Sequence, residues 1–133
     1  MNIKKRLNNL KFLDDTIKSK RQEIFALESL VQKAQVYSDE PKGSRQGNKT
    51  EELNLKIIDE KEKIENEIMT LWSESRKTIA AIDQLEDPLE RAVLRYTYVN
   101  GYNWIKTTGQ LNCSRTTYQR AKKSGIEHLA LKL

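Results

Sequence analysis

The chain is poor in the residues on which metal centres, disulfides and catalytic pairs depend. Among its 133 residues there are one cysteine, Cys113, and one histidine, His128. A structural zinc site needs about four such ligands and a disulfide needs two cysteines, so neither is expected. A catalytic base would need a partner that the chain does not offer. Cys113 is therefore interpreted as core filler, and His128 as a residue that favours the end of the last helix or faces solvent.

Glycine, proline and long apolar runs are also scarce. The sequence has 5 Gly and 2 Pro, and 32% of its residues are charged, a balance that favours long charged helices over sheets. No run of about 18 apolar residues occurs, and the basic start lacks the apolar core of a signal peptide. There is no Gly-rich phosphate loop, and the carboxylates are interleaved with lysines as on a solvated helix face. We expect an all-α, cytoplasmic protein that has no membrane partner, no enzymatic activity, no cofactor and no metal.

The positive charge is concentrated at the C-terminal end of the chain. Residues 1–87 carry 16 Lys or Arg against 17 Asp or Glu, whereas residues 88–133 carry 8 against 2. A field of one sign on one small segment is typical of a nucleic-acid binder, although an acidic protein partner would also fit.

Two stretches before this segment repeat their apolar residues every seven positions. The first runs over residues 3–34 and the second over residues 57–85. Such a repeat is typical of helices that pack along a narrow seam. It predicts an antiparallel helical hairpin or coiled coil in residues 1–86, and we expect this scaffold to dimerise with a second copy.

The segment between the two stretches, residues 38–50, contains proline, two glycines and almost no apolar side chain. It is predicted to be a flexible connector, and Asn48 or Thr50 is predicted to cap the helix that follows. Its basic residues are interpreted as a solvated loop, with phosphate contact as the alternative. These residues are Lys42, Arg45 and Lys49.

Residues 87–133 have the pattern of three short helices. Asp87 is predicted to cap the first helix, which begins at Pro88, with Glu90 as the capping-box partner. Apolar residues at steps of three and four predict one buried stripe on this helix, which ends at Asn100-Gly101. The stripe consists of Leu89, Ala92, Val93, Tyr96 and Val99.

A tight turn at residues 112–114 is predicted to join the other two helices. Asn103 should cap the helix over residues 104–111, and Ser114 should cap the last one. Trp104 of the middle helix and Tyr96 of the first helix are both assigned to the core. The threonines at 107 and 108 need hydrogen-bond partners if they are buried, most simply the carbonyl one turn back. The last helix presents Tyr118, Ala121, Gly125 and Leu129 inward.

The opposite face of the last helix is polar and basic. Arginine and glutamine pair bidentately with guanine and adenine edges in the major groove, whereas lysine favours phosphates. Two helices joined by a tight turn, the second with such a face, are typical of a DNA-binding helix-turn-helix. The face consists of Arg115, Thr116, Gln119, Arg120 and Lys123.

These residues resemble a known family. The segment Arg-Ala-Val-Leu-Arg-Tyr-Thr-Tyr-Val-Asn-Gly-Tyr-Asn-Trp, residues 91–104, and the Ser-Arg pair at 114–115 resemble region four of bacterial sigma factors. They are more similar still to the ArpU and RinA-like late transcription regulators of Gram-positive phages. The shared pattern is Arg-x-x-Leu, Tyr-x-x-Gly-x-x-Trp and a Ser-Arg opening of the last helix. The resemblance implies that the last helix is a recognition helix with contacts from Ser114, Arg115, Thr116, Thr117, Gln119 and Arg120.

The resemblance leads us to expect a sequence-specific, phage-type regulator that binds double-stranded DNA and activates late genes. Base edges are assigned to Arg115, Thr116, Gln119 and Arg120, and phosphates to Lys106, Lys122 and Lys123. Two alternatives remain open. A phage small terminase subunit also joins a helix-turn-helix to oligomerising helices. A module that grips host RNA polymerase as region four does would need no DNA contact.

Overall fold

The computed structural model describes residues 2–38 and 45–133, with side chains at residues 2–33 and 51–133. The described residues form six α-helices and one π-helical turn, and none of them lies in a β-strand. The predicted all-α class is confirmed. None of the described helices combines the length and apolar character that crossing a bilayer would need. The elements are α1 (Ile3–Lys11), α2 (Leu13–Ser38), α3 (Arg45–Asp83), α4 (Pro88–Leu94), the π-helical turn (Arg95–Val99), α5 (Trp104–Leu111) and α6 (Arg115–Lys132).

The chain divides into two compact units. The module unit consists of Met1–Asp14 and Trp72–Leu133, and the hairpin unit consists of Asp15–Leu71. The boundary predicted from the sequence lies at residue 86 instead. The first helix and the end of α3 thus pack with the C-terminal helices, although their apolar repeat is that of the scaffold.

In the hairpin unit α2 and α3 run antiparallel. Lys20 Nζ lies 2.7 Å from Glu67 Oε2, and Lys61 Nζ lies 2.9 Å from Glu28 Oε1. As residue numbers rise along α2 they fall along α3, which confirms the predicted hairpin. The seam between the helices buries isoleucines at the predicted heptad positions. These are Ile17, Ile57 and Ile64.

The first seven-residue repeat does not form one helix, because the chain is interrupted at Phe12 between α1 and α2. Leu10 belongs to a core cluster of the module unit, whereas Ile17, one heptad later, lies in the hairpin unit. The repeat conceals this change, because a heptad pattern records only that a side chain is buried and not its partner.

The second long helix begins before the predicted caps at Asn48 and Thr50, since α3 starts at Arg45. Arg45, Gln46 and Lys49 are good helix formers, and the helix also takes in Gly47 and Asn48, which are poor ones. Residues 39–44 of the predicted connector, including Lys42, lie outside the described residues, as do the side chains of Arg45 and Lys49.

The module unit is built around α4, which is buried on two sides. Leu94, 0% exposed, packs in a cluster with Leu7 and Leu10 of α1 and Leu129 of α6. Val93, also 0% exposed, packs in a second cluster with residues of α6. Because α4 contributes side chains to both clusters, the single buried stripe predicted for this helix is too narrow.

The π-helical turn explains the rest of the difference. The N–H group of Asn100 donates to the carbonyl of Arg95 at 3.0 Å, five residues back. A π-turn inserts one extra residue and shifts the helical register. Tyr98, outside the predicted stripe, is therefore buried, while Tyr96 and Val99 are only partly buried.

The predicted start of α4 is confirmed. Asp87 has an extended backbone, and its Oδ1 accepts the N–H of Leu89 at 2.9 Å, while Pro88 occupies the first helical position. Two arginines tie α4 and the π-helical turn to the end of α3 and to the segment that follows it. Arg91 donates to the carbonyl of Leu85 at 3.1 Å, and a second arginine, at 95, forms an ion pair.

Candidate nucleic-acid interface

The helix-turn-helix forms where it was predicted. Asn103 Oδ1 accepts the N–H of Lys106 at 2.8 Å and so caps α5. Asn112 ends α5 in the left-handed conformation, with φ 50 and ψ 46, a region in which asparagine is one of the few tolerated residues. After Cys113, which packs against the second core cluster as predicted, Ser114 caps α6. This tight turn sets α6 on the surface of the module unit.

One face of α6 is exposed along its first half. The residues at spacings of three, four and seven share this face, and each of them is exposed to solvent. On the opposite side, Tyr118 is 5% and Ala121 is 6% exposed, so the predicted inner face is confirmed. Four of the predicted contact residues are therefore brought together on one surface, which we call the outer face of α6. They are Thr116, Gln119, Arg120 and Lys123.

Arg115 lies beside this face rather than on it. Its guanidinium carbon is 4.4 Å from the centroid of the Trp104 ring, a cation–π contact. Trp104 is 40% exposed, so its assignment to the core is wrong. The first turn of α5 lies at the surface, and the indole there is covered by Arg115 instead of by core side chains.

Ser114 and Thr117 are occupied by the helix cap. The Ser114 Oγ accepts the N–H of Thr117 at 3.1 Å and donates to its Oγ1 at 2.9 Å. Both residues belong to the predicted contact set, yet their hydroxyl groups are first of all structural. They hold the first turn of α6, where the free N–H groups of the helix are found.

Lys106 and Lys122 each lie over an aromatic ring. The ammonium of Lys106 is 4.0 Å from the Tyr102 centroid, and Tyr102 stacks on Tyr96 with centroids 5.5 Å apart and planes 11° apart. Tyr96 is therefore a partly buried stacking partner and not the core residue that was predicted. Lys122 lies 5.8 Å from the centroid of Tyr98.

Part of the positive charge of residues 88–133 is not available at this surface. Arg91 donates to the Leu85 carbonyl, as described, and Arg95 Nη1 lies 2.6 Å from Asp83 Oδ1. Arg91 thus joins α4 to the segment that follows α3, and Arg95 joins the π-helical turn to the last residue of α3. Residues 88–133 contain eight basic residues, and two of them stabilise the fold through these contacts. The charge count therefore overstates the number of cations at the candidate interface.

Thr107 satisfies its buried hydroxyl as predicted. It is 0% exposed, and its Oγ1 donates to the carbonyl of Asn103, one turn back, at 2.9 Å. Thr108 is only partly buried and donates to the carbonyl of Ile105 at 3.1 Å. Neither hydroxyl is left without a partner, so α5 presents no strained polar group behind the interface.

A groove that the sequence did not predict runs between α1 and α6. Its volume is about 510 Å³. Tyr98 lines it, and burial raises the pKa of this phenol, with a smaller effect of Tyr118. The basic start of α1 is the one signal in the sequence, but nothing there indicates that it packs beside α6. The other lining residues are Lys4, Asn8, Gln119, Lys122, Lys123, Ile126 and Glu127.

A second missed cluster joins α4 to α6. Glu90 is 4% exposed, and its carboxylate accepts from Ser124 Oγ at 2.7 Å and lies 2.8 Å from His128 Nδ1. The predicted capping-box role of Glu90 is therefore wrong, because the side chain turns inward. The hydrogen bond to this carboxylate raises the pKa of His128. Ser124 bonds to the carboxylate and not to the histidine, an arrangement that ties helices together and does not activate a nucleophile.

Comparison with known proteins assigns the chain to a family. The chain belongs to the family described as "Protein of unknown function (DUF1492)", which it matches over residues 30–130. No curated protein matches the chain, and no solved structure does.

Proposed function

We propose that this member of the DUF1492 family is a sequence-specific DNA-binding transcription regulator of the phage late-gene activator type. The observation that carries the proposal is the outer face of α6. It presents an arginine, a glutamine and a lysine on the helix that follows a tight turn, in the part of the chain that holds the excess of positive charge. These features are typical of a recognition helix that lies in the major groove.

Within this proposal the side chains have different roles. Gln119 and Arg120 read base edges, since both can form bidentate pairs, and Thr116 adds contacts at the start of the helix. Lys123 binds phosphate, as does Lys106 at the other end of the motif. Arg115 contacts a base after its guanidinium has left the Trp104 ring. In the unbound protein the indole keeps this guanidinium at the surface.

Two substitutions on α6 test these roles. Arg120→Ala should cost about 1 to 3 kcal/mol on the cognate site and relax base preference at one position. Lys123→Ala should weaken binding to cognate and random duplexes alike and reduce the salt dependence. The cognate site is first located by footprinting on phage DNA, and affinities are then measured by fluorescence anisotropy. Equal losses on both duplexes from both variants would refute the assignment.

We further propose that the protein acts as a homodimer through its long helices. Three apolar side chains of α3 in the hairpin unit point away from the seam with α2. Leu55 is 62%, Ile58 is 54% and Met69 is 68% exposed. They fall on a second heptad stripe, which is interrupted by two glutamates at 62 and 65. A dimer would place two recognition helices on half-sites about one helical turn apart, or a multiple of it.

Light scattering tests this assembly. A dimer mass with paired half-sites in the footprint agrees with the proposal. A monomer mass at micromolar concentration contradicts it, and a large ring would favour the small terminase subunit instead.

Contact with RNA polymerase is a second candidate function. Trp104 and Ile105 are adjacent on α5 and are 40% and 62% exposed. Large apolar side chains at the surface mark protein contacts more often than DNA contacts. Ile105→Ala should then reduce capture of host RNA polymerase while DNA affinity stays constant. Loss of DNA affinity in this variant would count against the polymerase contact.

A further inference from the structure

The groove between α1 and α6 extends the outer face of α6 toward a second basic surface. Its cations are Lys4 of α1 and two lysines of α6, Lys122 and Lys123, against one carboxylate, Glu127. Within the described residues none of these three lysines takes part in an ion pair. The groove therefore has a net positive charge that the fold itself does not neutralise, and it would attract an anion.

The position of the groove indicates which anion it would bind. Gln119 and Lys123 belong both to the outer face of α6 and to the groove wall, so the two surfaces are continuous. A helix in the major groove, which is about 12 Å wide, has a phosphate backbone on either side of it. The backbone on the α1 side of α6 would run past the groove. Lysine ammonium groups are well suited to phosphate oxygens, as compact point charges.

The first helix is fixed firmly enough to take part in such a contact. Leu7 is 1% and Leu10 is 5% exposed in the core cluster of the module unit. Lys4 and Asn8 lie about one turn apart on this short helix. Both of them line the groove wall. A lysine on a packed helix loses less freedom on binding than one on a loose arm.

We propose that α1 is part of the DNA-binding surface, and that Lys4 and Asn8 bind a backbone phosphate of the duplex whose major groove holds α6. This inference rests on the proposed function. It adds to the helix-turn-helix a contact from the opposite end of the chain, and it gives the basic start of the sequence a role.

Salt-dependent binding to a labelled random-sequence DNA duplex tests the inference. Removing one lysine that binds a phosphate should lower the slope of log affinity against log salt by about 0.9. Lys4→Ala should therefore flatten the slope by about this amount. Asn8→Lys, which adds a charge at the groove wall, should steepen it by a similar amount.

Lys5→Ala is the matched control, because Lys5 is exposed on α1 but does not line the groove. Circular dichroism checks that the variants fold.

The outcomes separate this inference from the proposed function. Flattening by Lys4→Ala and steepening by Asn8→Lys, with no change in Lys5→Ala, is the expected result. If Lys123→Ala weakens binding but the slopes of Lys4→Ala and Asn8→Lys equal that of the unaltered protein, α1 does not contact DNA and the proposed function stands. Equal flattening by Lys4→Ala and Lys5→Ala would show that α1 acts through its overall charge and that Lys4 makes no defined phosphate contact, which contradicts the inference. A protein with no affinity for the duplex would overturn both proposals.

Discussion

The module unit and the hairpin unit bury their apolar side chains to different degrees. In the module unit, Leu94 and Leu129 are 0% exposed and α4 is covered on two sides. In the hairpin unit, two helices share one seam, and Phe25 and Met69 remain 67% and 68% exposed. A pair of helices can bury only one stripe of each helix. The comparison teaches that the module unit has an interior enclosed by several helices, whereas the hairpin unit buries its apolar side chains along the one seam between its two helices.

The largest expected effect comes from removing a buried side chain of the module unit. Leu129→Ala leaves a cavity where the side chain is 0% exposed and should lower the free energy of unfolding by about 2 to 5 kcal/mol. Leu131→Ala is the matched control on the same helix, because Leu131 is 86% exposed, and it should change stability by no more than about 0.5 kcal/mol. Urea unfolding measures both. Similar losses in the two variants would contradict the described core.

A smaller effect is expected at a helix cap. Asn103→Ala removes the acceptor of the Lys106 N–H bond and should cost about 1 kcal/mol. Gln110→Ala, at an exposed position of the same helix, serves as the control and should be nearly neutral. If Asn103→Ala were neutral as well, the cap would not stabilise α5.

The Glu90 cluster predicts a dependence of stability on pH. The hydrogen bond with Glu90, then its charge, raise the pKa of His128, with smaller effects of Glu127 and Asp87. The folded protein thus holds this proton more tightly than the unfolded chain, whose histidine pKa is about 6.5. The stabilising contribution is complete below that pH and is lost as the pH rises through the folded-state pKa.

His128→Gln should remove this loss of stability. The free energy of unfolding is measured by urea titration at a series of pH values from about 6 to 9. Glu90→Gln removes the carboxylate and should also flatten the profile. A profile in His128→Gln that matches that of the unaltered protein would show that another group titrates.

The smallest effect on the monomer is expected in the hairpin unit. Met69→Ala alters a side chain that is 68% exposed, and in dilute solution it should change the unfolding free energy by no more than about 0.5 kcal/mol. If the stripe joins two copies, the loss should grow with protein concentration, because dimerisation stabilises the folded state by mass action. Urea unfolding midpoints of Met69→Ala and of the unaltered protein, each measured at two protein concentrations, test whether the loss grows. A concentration-independent loss of more than that amount would mean that Met69 is buried in the monomer.

Local signals predicted the helix-turn-helix well. Asp87, Asn103 and Ser114 cap the helices that they were expected to cap, because a cap depends on a side chain and the N–H groups two or three residues later. The inward residues of α6 were also predicted from a local signal, because a helix that is packed on one side keeps its apolar period of 3.6 residues.

Contacts between residues far apart in the sequence could not be predicted in this way. Leu10 has the heptad position of a scaffold residue and packs in the module unit. Glu90 has the spacing of a capping box, but it is drawn inward by Ser124 and His128, which lie 34 and 38 residues away. Trp104 was assigned to the core from its size and helical position, and only the position of Arg115 in space shows the contact that covers it. The groove was missed because its two walls come from opposite ends of the chain.

The way α1 completes the module unit has a consequence for biosynthesis. This helix is translated well before the residues that its buried leucines Leu7 and Leu10 pack with, such as Leu94 and Leu129. Domains generally fold only when the segments that form their core are present. A ribosome that stalls, or a protease that cuts between the hairpin helices before synthesis ends, would leave each fragment with exposed leucines. The module unit would therefore reach its folded state only after α6 has been synthesised.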